Sequence, residues 1–413
     1  MGVGNVAGFR SKHRWSPYTQ VHFSMMPYAL PPAESKLPLR AIAAGFLPSR
    51  VDFARKLREY LHTDACVLAN SGRTLLYILF RALQSRASFD GGQVLVPGYT
   101  CYSVAAAAVK AGLNVAPYDL DPRTFQPDME DVRRKINART LAVVGQHLLG
   151  VPADIGRLAE IAHHRDVCCI EDSAQLLGAN QKALEQRCSA DYTFFSFGRG
   201  KPLPLGGGGA LIGAKSEALP RIADDLEASR HTAVHSMAPI AVRILARPRL
   251  YWILEKLPFG LGQTVCDPSF PVSKMPSSYQ RVGAAALACL ESLNQHRTAI
   301  GGRYHGYFTG QEDSGRAPKR PAYTRYPLLV QNQVEARRLA KQGVRQLYPL
   351  ALCDVPALRN SIAMSEGPTP GACEIADRLI TLPTHLSVDY GMADQLAIAV
   401  CSVFRKIAPI SLA

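Results

Sequence analysis

The chain has 413 residues, room for two or three domains at about 100–200 residues each, which excludes a peptide hormone or a small disulfide-stapled module. Apolar residues make up 47% and charged residues 19%, the balance of a folded globular protein and not of a disordered or collagen-like one. Forty-seven Lys and Arg outweigh 33 Asp and Glu, and the resulting +14 points to an anionic partner without choosing among phosphorylated substrate, nucleic acid and membrane surface.

Residues 1–44 are rich in Pro and aromatics without periodicity and read as an arm packed on a larger body. The first twenty, MGVGNVAGFRSKHRWSPYTQ, have no apolar stretch of the secretory kind, and no run reaches the roughly 18 apolar residues of a membrane span, so a cytoplasmic protein is expected. Regular structure follows. VDFARKLREYL predicts a helix, and VLANSGRTLLYILFRAL a short strand that opens at Asn70-Ser71-Gly72 into an amphipathic helix. Strand and helix then alternate through QVLVPG, SVAAAAVKAG, LNVAPYDL, DMEDVRRKI, TLAVVGQHL, DIGRLAEIAHHR and VCCIED. Short β-rich runs without period-2 alternation are strands covered on both faces, so the pattern predicts parallel βαβ units in an α/β three-layer domain. DYTFFSFGRGKPLPLGGGGALIGA adds strand, loop, glycine run and strand, and from about residue 320 a smaller unit begins with YTRYPLLV, a helix at VEARRLAKQG, LITLP and a final helix.

Ligands of such sheets lie at the carboxyl ends of the strands. There, Asp172 ends VCCIED and Lys201 follows in a small-residue loop. A strand-end carboxylate and a loop amine suit pyridoxal phosphate (PLP), the first keeping the pyridine nitrogen protonated and the second forming a Schiff base, while a surface lysine and a helix-capping aspartate is the other reading the two residues allow by themselves. Ser71, Gly72 and Arg73 lie where a strand opens into a helix, so backbone N–H groups and the positive end of the helix dipole would meet the phosphate; Ser71 also reads as a plain N-cap, which is compatible.

Six strings in register (NSGRTLLYILFRAL, VLVPGYTCYSVAAAAVKAGLNVAPYDLDPRTF, HLLGVPADI, IEDSAQLLGA, FSFGRGKPLPLGGGGAL and ADRLITLPTHLSVD) resemble the DegT/StrS family of PLP-dependent sugar aminotransferases, from about residue 45 to the C-terminus except near 231–270. The resemblance implies a type I PLP fold. A large α/β/α domain with a mostly parallel sheet would span 45–270, and a linker helix and a smaller α+β domain 271–413. It also implies a homodimer with active sites at the subunit interface, and amino transfer, commonly from glutamate, to a nucleotide-linked keto sugar for cell-surface glycan or related biosynthesis. Lys201 then falls on the Schiff-base lysine, Asp172 on the carboxylate facing the pyridine nitrogen, Gln175 on the glutamine near the phenolic oxygen, and Ser196 on a phosphate-binding hydroxyl.

The sequence departs from the family pattern at Arg73 (commonly threonine), Pro202 (often asparagine) and Gly207 (usually acidic). The aromatic that stacks on the cofactor aligns with Cys101, leaving neighbouring Tyr99 or Tyr102 as its replacement. Of the family's G-Y-N-x-R-M stretch, PVSKM retains Lys274 and Met275 at the end but lacks the asparagine expected to reach the partner subunit's phosphate. His147 follows an apolar strand and reads either as lining the site or as a satisfied structural residue. Arg199, Arg73 and Lys274 are candidate partners for a substrate diphosphate.

The GGGG run at 206–209 lacks the G-K-[ST] ending of a P-loop and is read as close backbone packing. Ten cysteines without any C-x-x-C pair argue against a zinc ribbon and for reduced thiols, and no metal site is expected. The stretch 238–262 mixes apolar residues with Arg243, Arg247, Arg249 and Lys256, the makeup of a substrate-side cover, an interface, or a peripheral contact with the inner face of a membrane. No basic recognition helix or aromatic-basic interleaving supports nucleic-acid binding. The competing readings are another PLP reaction on the same scaffold, with Lys201 arguing against the dehydratases that carry His there, and a PLP-fold scaffold protein at a membrane.

Overall fold

In the computed structural model, residues 29–412 are described apart from 35, 49, 179–188, 214–218, 225, 229–239, 241–242, 245–246, 252–264, 311–319 and 363–366. The chain enters through α1 (Leu39–Ala44) and α2 (Phe53–Leu61), where Asp52 caps α2 by accepting from the Arg55 N–H. Then β1 (Val67–Ala69) leads through the Ser71 N-cap into α3 (Gly72–Gln84). The alternation continues with β2 (Gln93–Pro97), α4 (Tyr102–Lys110), β3 (Asn114–Tyr118), α5 (Met129–Lys135), β4 (Thr140–Gln146), α6 (Ile155–His163), β5 (Cys168–Asp172), β6 (Tyr192–Ser196) and β7 (Gly209–Gly213).

These seven strands form one sheet in the order β1-β7-β6-β5-β4-β2-β3. Strands β3, β2, β4, β5 and β6 are parallel neighbours, as their short runs without period-2 alternation predict, whereas β7 runs antiparallel to both β6 and β1. The fold is α/β with a mostly parallel sheet, and α3 and α4 pack on each other as well as on strands.

Past α7 (Leu219–Asp224), α8 (Ser277–Ala286) and the 20-residue α9 (Leu290–Thr309), a second sheet forms. Its strands β8 (Arg325–Val330), β9 (Leu379–Pro383) and β10 (Ile407–Pro409) are antiparallel in the order β10-β8-β9, accompanied by α10 (Pro370–Arg378) and α11 (Tyr390–Val403). The predicted helix at VEARRLAKQ is a 3₁₀ run, Gln333–Gln342. Its buried residues, Ala336 and Leu339, are three apart, which matches a turn of 3.0 residues better than one of 3.6. The glycine run packs closely, as expected. A Cβ at Gly207 would lie 2.9 Å from Tyr279, and one at Gly208, whose φ is +99°, 2.7 Å from Met275.

Among the described residues no helix is long and apolar enough to cross a membrane. Most of the stretch 238–262 lies outside them, as do residues 1–28 of the arm. The parts of both that are described meet: Arg243 donates to the Leu37 carbonyl, and the Ala29 N–H to the Pro248 carbonyl at 2.9 Å.

Candidate active site

Strands β4, β5 and β6 end side by side, and their register sorts the side chains. Gln146 pairs with Asp172, and Asp172 with Phe194. Registered residues of parallel strands project from the same face, and Ser196, two residues beyond Phe194, shares it. The amino end of α3 arrives on that face, since a Cβ at Gly72 would lie 3.3 Å from Ser196 Cβ and 3.5 Å from the Phe194 ring. Register and helix docking thus gather Gln146, Asp172, Ser196 and the Ser71-Gly72 turn.

Asp172 is 5% exposed and accepts a 3.0 Å hydrogen bond from the Ala174 N–H. Burial pushes its carboxyl above the usual carboxylate range, Glu171 adds to the rise, and the positive charge of Lys201, the Ala174 N–H and His147 oppose it. Lys201 is the largest of those opposing influences, so the loop amine lies within electrostatic reach of the strand-end carboxylate.

The loop carrying Lys201 is fastened at several points. The Leu205 N–H donates to Phe197 O at 2.8 Å, the Phe197 N–H to Gly208 O at 2.9 Å and the Lys201 N–H to Gly198 O at 3.3 Å. Gly200 takes φ +70°, where a Cβ would lie 3.2 Å from Ala33 of the arm. From α9, buried Arg297 donates to the Pro202 carbonyl at 3.1 Å and to Asn294 Oδ1 at 2.6 Å, while Asn294 donates to the Leu177 carbonyl at 2.9 Å. One helix turn therefore holds the lysine loop and the loop after Asp172 in fixed relation. Burial lowers the Arg297 pKa to about 10, partly offset by the charge of Glu34.

Ser71 caps α3, its Oγ accepting from the Thr74 N–H at 3.2 Å and sharing a 2.9 Å hydrogen bond with the Thr74 hydroxyl. Lys274 lies at the edge of this turn, its backbone bridging to Ala69. The Arg73 guanidinium stacks 4.8 Å from the centre of the Phe270 ring. Gln175 is buried, with its carboxamide oxygen accepting from the Leu149 N–H, and Ser196 Oγ accepts from Gly198 N–H at 3.4 Å.

Three expected residues are placed elsewhere or otherwise engaged. His147 follows the parity of Gly145, the register partner of Glu171, and so joins Glu171 on the opposite face from Asp172. Its Nδ1 accepts from the Ala153 N–H at 2.9 Å, so Nε2 carries the proton and donates to Glu171 Oε1, also at 2.9 Å. Both ring nitrogens of His147 are thus engaged within the protein. The Tyr99 hydroxyl donates to the Tyr348 carbonyl at 3.1 Å and accepts from the Tyr348 N–H at 2.9 Å. Tyr102 makes the same pair of bonds with Leu350, both at 2.9 Å. These two tyrosines therefore anchor residues 348–350.

That anchored segment supplies an aromatic side chain the sequence reading missed. Tyr348 is buried, with ring centroids 5.3 Å from Tyr99 and 6.1 Å from Tyr102. Its hydroxyl shares a hydrogen bond with Cys101, and its pKa is raised by burial and by the charges of Cys101, Tyr99 and Asp172. Two buried polar atoms near the strand ends, Thr100 Oγ1 and Gln146 Oε1, have no hydrogen-bond partner among the described residues.

Residues 46–243 match the DegT/DnrJ/EryC1/StrS aminotransferase family. The matched region is just under half of the chain. It is 35% identical over 182 residues to the L-glutamine:2-deoxy-scyllo-inosose aminotransferase of Micromonospora echinospora, a match covering 44% of this chain and 42% of that one. The chain spans 37% of the length of the counterparts in Streptomyces lividus and Streptomyces kanamyceticus. Similarity to the dTDP-3-amino-3,4,6-trideoxy-alpha-D-glucose transaminase of Streptomyces venezuelae is longer, 27% over 346 residues, 81% of this chain and 82% of that one. Among solved structures, the sugar aminotransferase CalS13 from Micromonospora echinospora superposes with a TM-score of 0.69 at 19% identity, covering 90% of this chain and 99% of that chain. The PLP form of Spr1654 from Streptococcus pneumoniae gives 0.68 at 21% identity, covering 91% and 98%. These superpositions establish the type I fold of PLP sugar aminotransferases.

Proposed function

We propose that the chain is a PLP-dependent aminotransferase that moves an amino group from glutamate or glutamine to a nucleotide-linked keto sugar. The observation that carries the reading is the Asp172 carboxylate, buried at a strand end and within electrostatic reach of Lys201. The surrounding residues fit the cofactor. A buried carboxylate suits a cationic pyridine, the α3 amino end and the Ser196 hydroxyl suit a phosphate dianion, and the buried Gln146 Oε1, unpartnered among the described residues, leaves polar capacity for a ligand.

When bound, PLP supplies an electron sink for the negative charge left as a proton departs from the amine-bearing carbon. Lys201 would hold the cofactor covalently at rest and, once displaced by the donor amine, carry that proton away from one carbon and back to another. Asp172 would hold the positive charge opposite. Arg297 and Asn294 would keep the amine within reach by fixing the loops on either side. Tyr348 replaces Cys101 as the aromatic wall, with Tyr99 and Tyr102 as its supports.

For the acceptor, the +14 charge favours an anionic sugar, and Lys274 beside the α3 turn is the cation best placed for a diphosphate. GDP-perosamine synthase and a dTDP-linked transaminase among the relatives support a nucleotide-linked acceptor, and the inosose aminotransferases support glutamine as donor. Exposed Leu39, Phe46 and Leu47 supply apolar surface for a homodimer. The test is to load the chain with PLP, add L-glutamate or L-glutamine, and then offer dTDP- and GDP-linked keto sugars. The donor should bleach the visible absorbance and release keto acid, and an acceptor should restore it. A colourless chain, or colour unmoved by any donor, would reject the assignment.

A further inference from the structure

A second cluster lies in the C-terminal part of the chain. The 3₁₀ turn Leu352–Asp354 and the first turns of α10 bring together Cys353, Asp354 and Cys373. The two sulfurs are 3.7 Å apart, Cys373 Sγ lies 3.7 Å from Asp354 Oδ2, and all three donor atoms fall within 4.8 Å of one another. A tetrahedral ion with bonds of about 2.3 Å to sulfur and about 2.0 Å to oxygen requires edges of roughly 3.8 Å between sulfurs and roughly 3.5 Å from sulfur to oxygen. The sulfur–sulfur separation and the Cys373–Asp354 separation agree with those edges.

The frame behind the donors is fixed. The Leu352 N–H donates to the Gly98 carbonyl at 2.8 Å, and the Asp354 N–H to Ala351 O at 3.0 Å. The Gly371 and Ala372 N–H groups donate to the Asp119 carboxylate at 3.0 and 2.8 Å, which pins the start of α10. Buried Thr369 directs its hydroxyl at Cys353 Sγ, 3.6 Å away, as groups behind a metal ligand commonly do. Cys353 and Asp354 are exposed and Cys373 is half-buried, so an ion can enter from solvent.

We propose that Cys353, Asp354 and Cys373 bind a thiophilic divalent cation of the zinc class, with water at the fourth corner. Two S–H bonds break as two metal–sulfur bonds form, and both protons pass to solvent, so uptake strengthens as pH rises. Two thiolates disfavour Mg²⁺ and Ca²⁺, which take oxygen donors. The sequence contains no contiguous metal motif because the ligands come from two stretches, 353–354 and 373, that only the fold joins.

The test uses the reduced full-length chain and Co²⁺ as a spectroscopic probe, displaced by Zn²⁺. One equivalent should produce sulfur-to-cobalt charge-transfer bands and intense tetrahedral d–d bands, and Zn²⁺ should protect Cys353 and Cys373 of the unaltered chain from iodoacetamide, as mapped by peptide mass spectrometry. The double variant Cys353→Ser, Cys373→Ser should lose the bands, and Asp354→Asn should weaken binding on the order of tenfold or more. Absent bands, bands that survive in the double variant, or protection confined to other cysteines would overturn the proposal. So would a mild thiol oxidant linking Cys353 to Cys373 in a chain that takes up no metal, which would make the pair a redox couple instead.

Discussion

Acidification should destabilise this protein through His385. The residue is 3% exposed, its Nε2 donates to the Pro31 carbonyl at 2.8 Å and its Nδ1 accepts from the Ser387 N–H at 3.3 Å, an arrangement that requires the neutral ring. Burial pushes its pKa from 6.5 to about 4; the Pro31 carbonyl resists the change, and the charges of Lys36, Arg297 and His296 reinforce it. Above pH 6.5 neither the folded nor the unfolded chain protonates this ring, so its contribution is flat. Between 6.5 and 4 the unfolded chain binds a proton that the folded chain refuses, so stability falls as pH falls, by about 3 kcal/mol over the window. The consequence reaches the lysine loop, because Pro31 belongs to the arm whose Ala33 abuts Gly200. Urea unfolding of the wild type and of His385→Gln at about pH 7.5 and about pH 4.5 measures the effect. The wild type should lose about 3 kcal/mol more than the variant. Equal losses would refute the reasoning.

Arg297→Leu should cost about 3–5 kcal/mol in urea unfolding by leaving the buried Glu34 charge and the Pro202 carbonyl without it, and PLP should dissociate more readily; unchanged stability and retention would contradict the positioning role. Tyr348→Phe should cost about 1 kcal/mol for the lost hydroxyl contact and keep the cofactor spectrum, whereas Tyr348→Ala should cost about 3–5 kcal/mol and alter it. Asp172→Asn should cut the rate of amino transfer by about a hundredfold or more with circular dichroism unchanged, and near-normal turnover would remove Asp172 from the chemistry.

The strands, and the place of Asp172 at the end of one, were legible because each depends on local pattern, a run of β-formers, whereas the roles expected of Asp172 and Lys201 came from the family resemblance. Which face a strand-end residue occupies depends on register between strands, and a single strand's sequence does not encode that. His147 shows the difference: its position just past β4 allows either site lining or a structural role, and only parity with Glu171 tells which face it takes. Tyr348 and Arg297 were invisible for a related reason. The first reaches Tyr99 and Tyr102 across about 250 residues of chain, and the second sits on a helix whose sequence marks no face strongly. The 3₁₀ run at Gln333–Gln342 was read as α-helix because its two buried positions are too few to separate a period of 3.0 from 3.6.

The central claim is that Lys201 carries the cofactor while Asp172 faces it. Borohydride reduction of the PLP-loaded chain followed by peptide mapping tests it most directly. The pyridoxyl label should sit on the peptide containing Lys201 and vanish in Lys201→Ala. A label on a different lysine, or a chain that takes up none, would contradict the account.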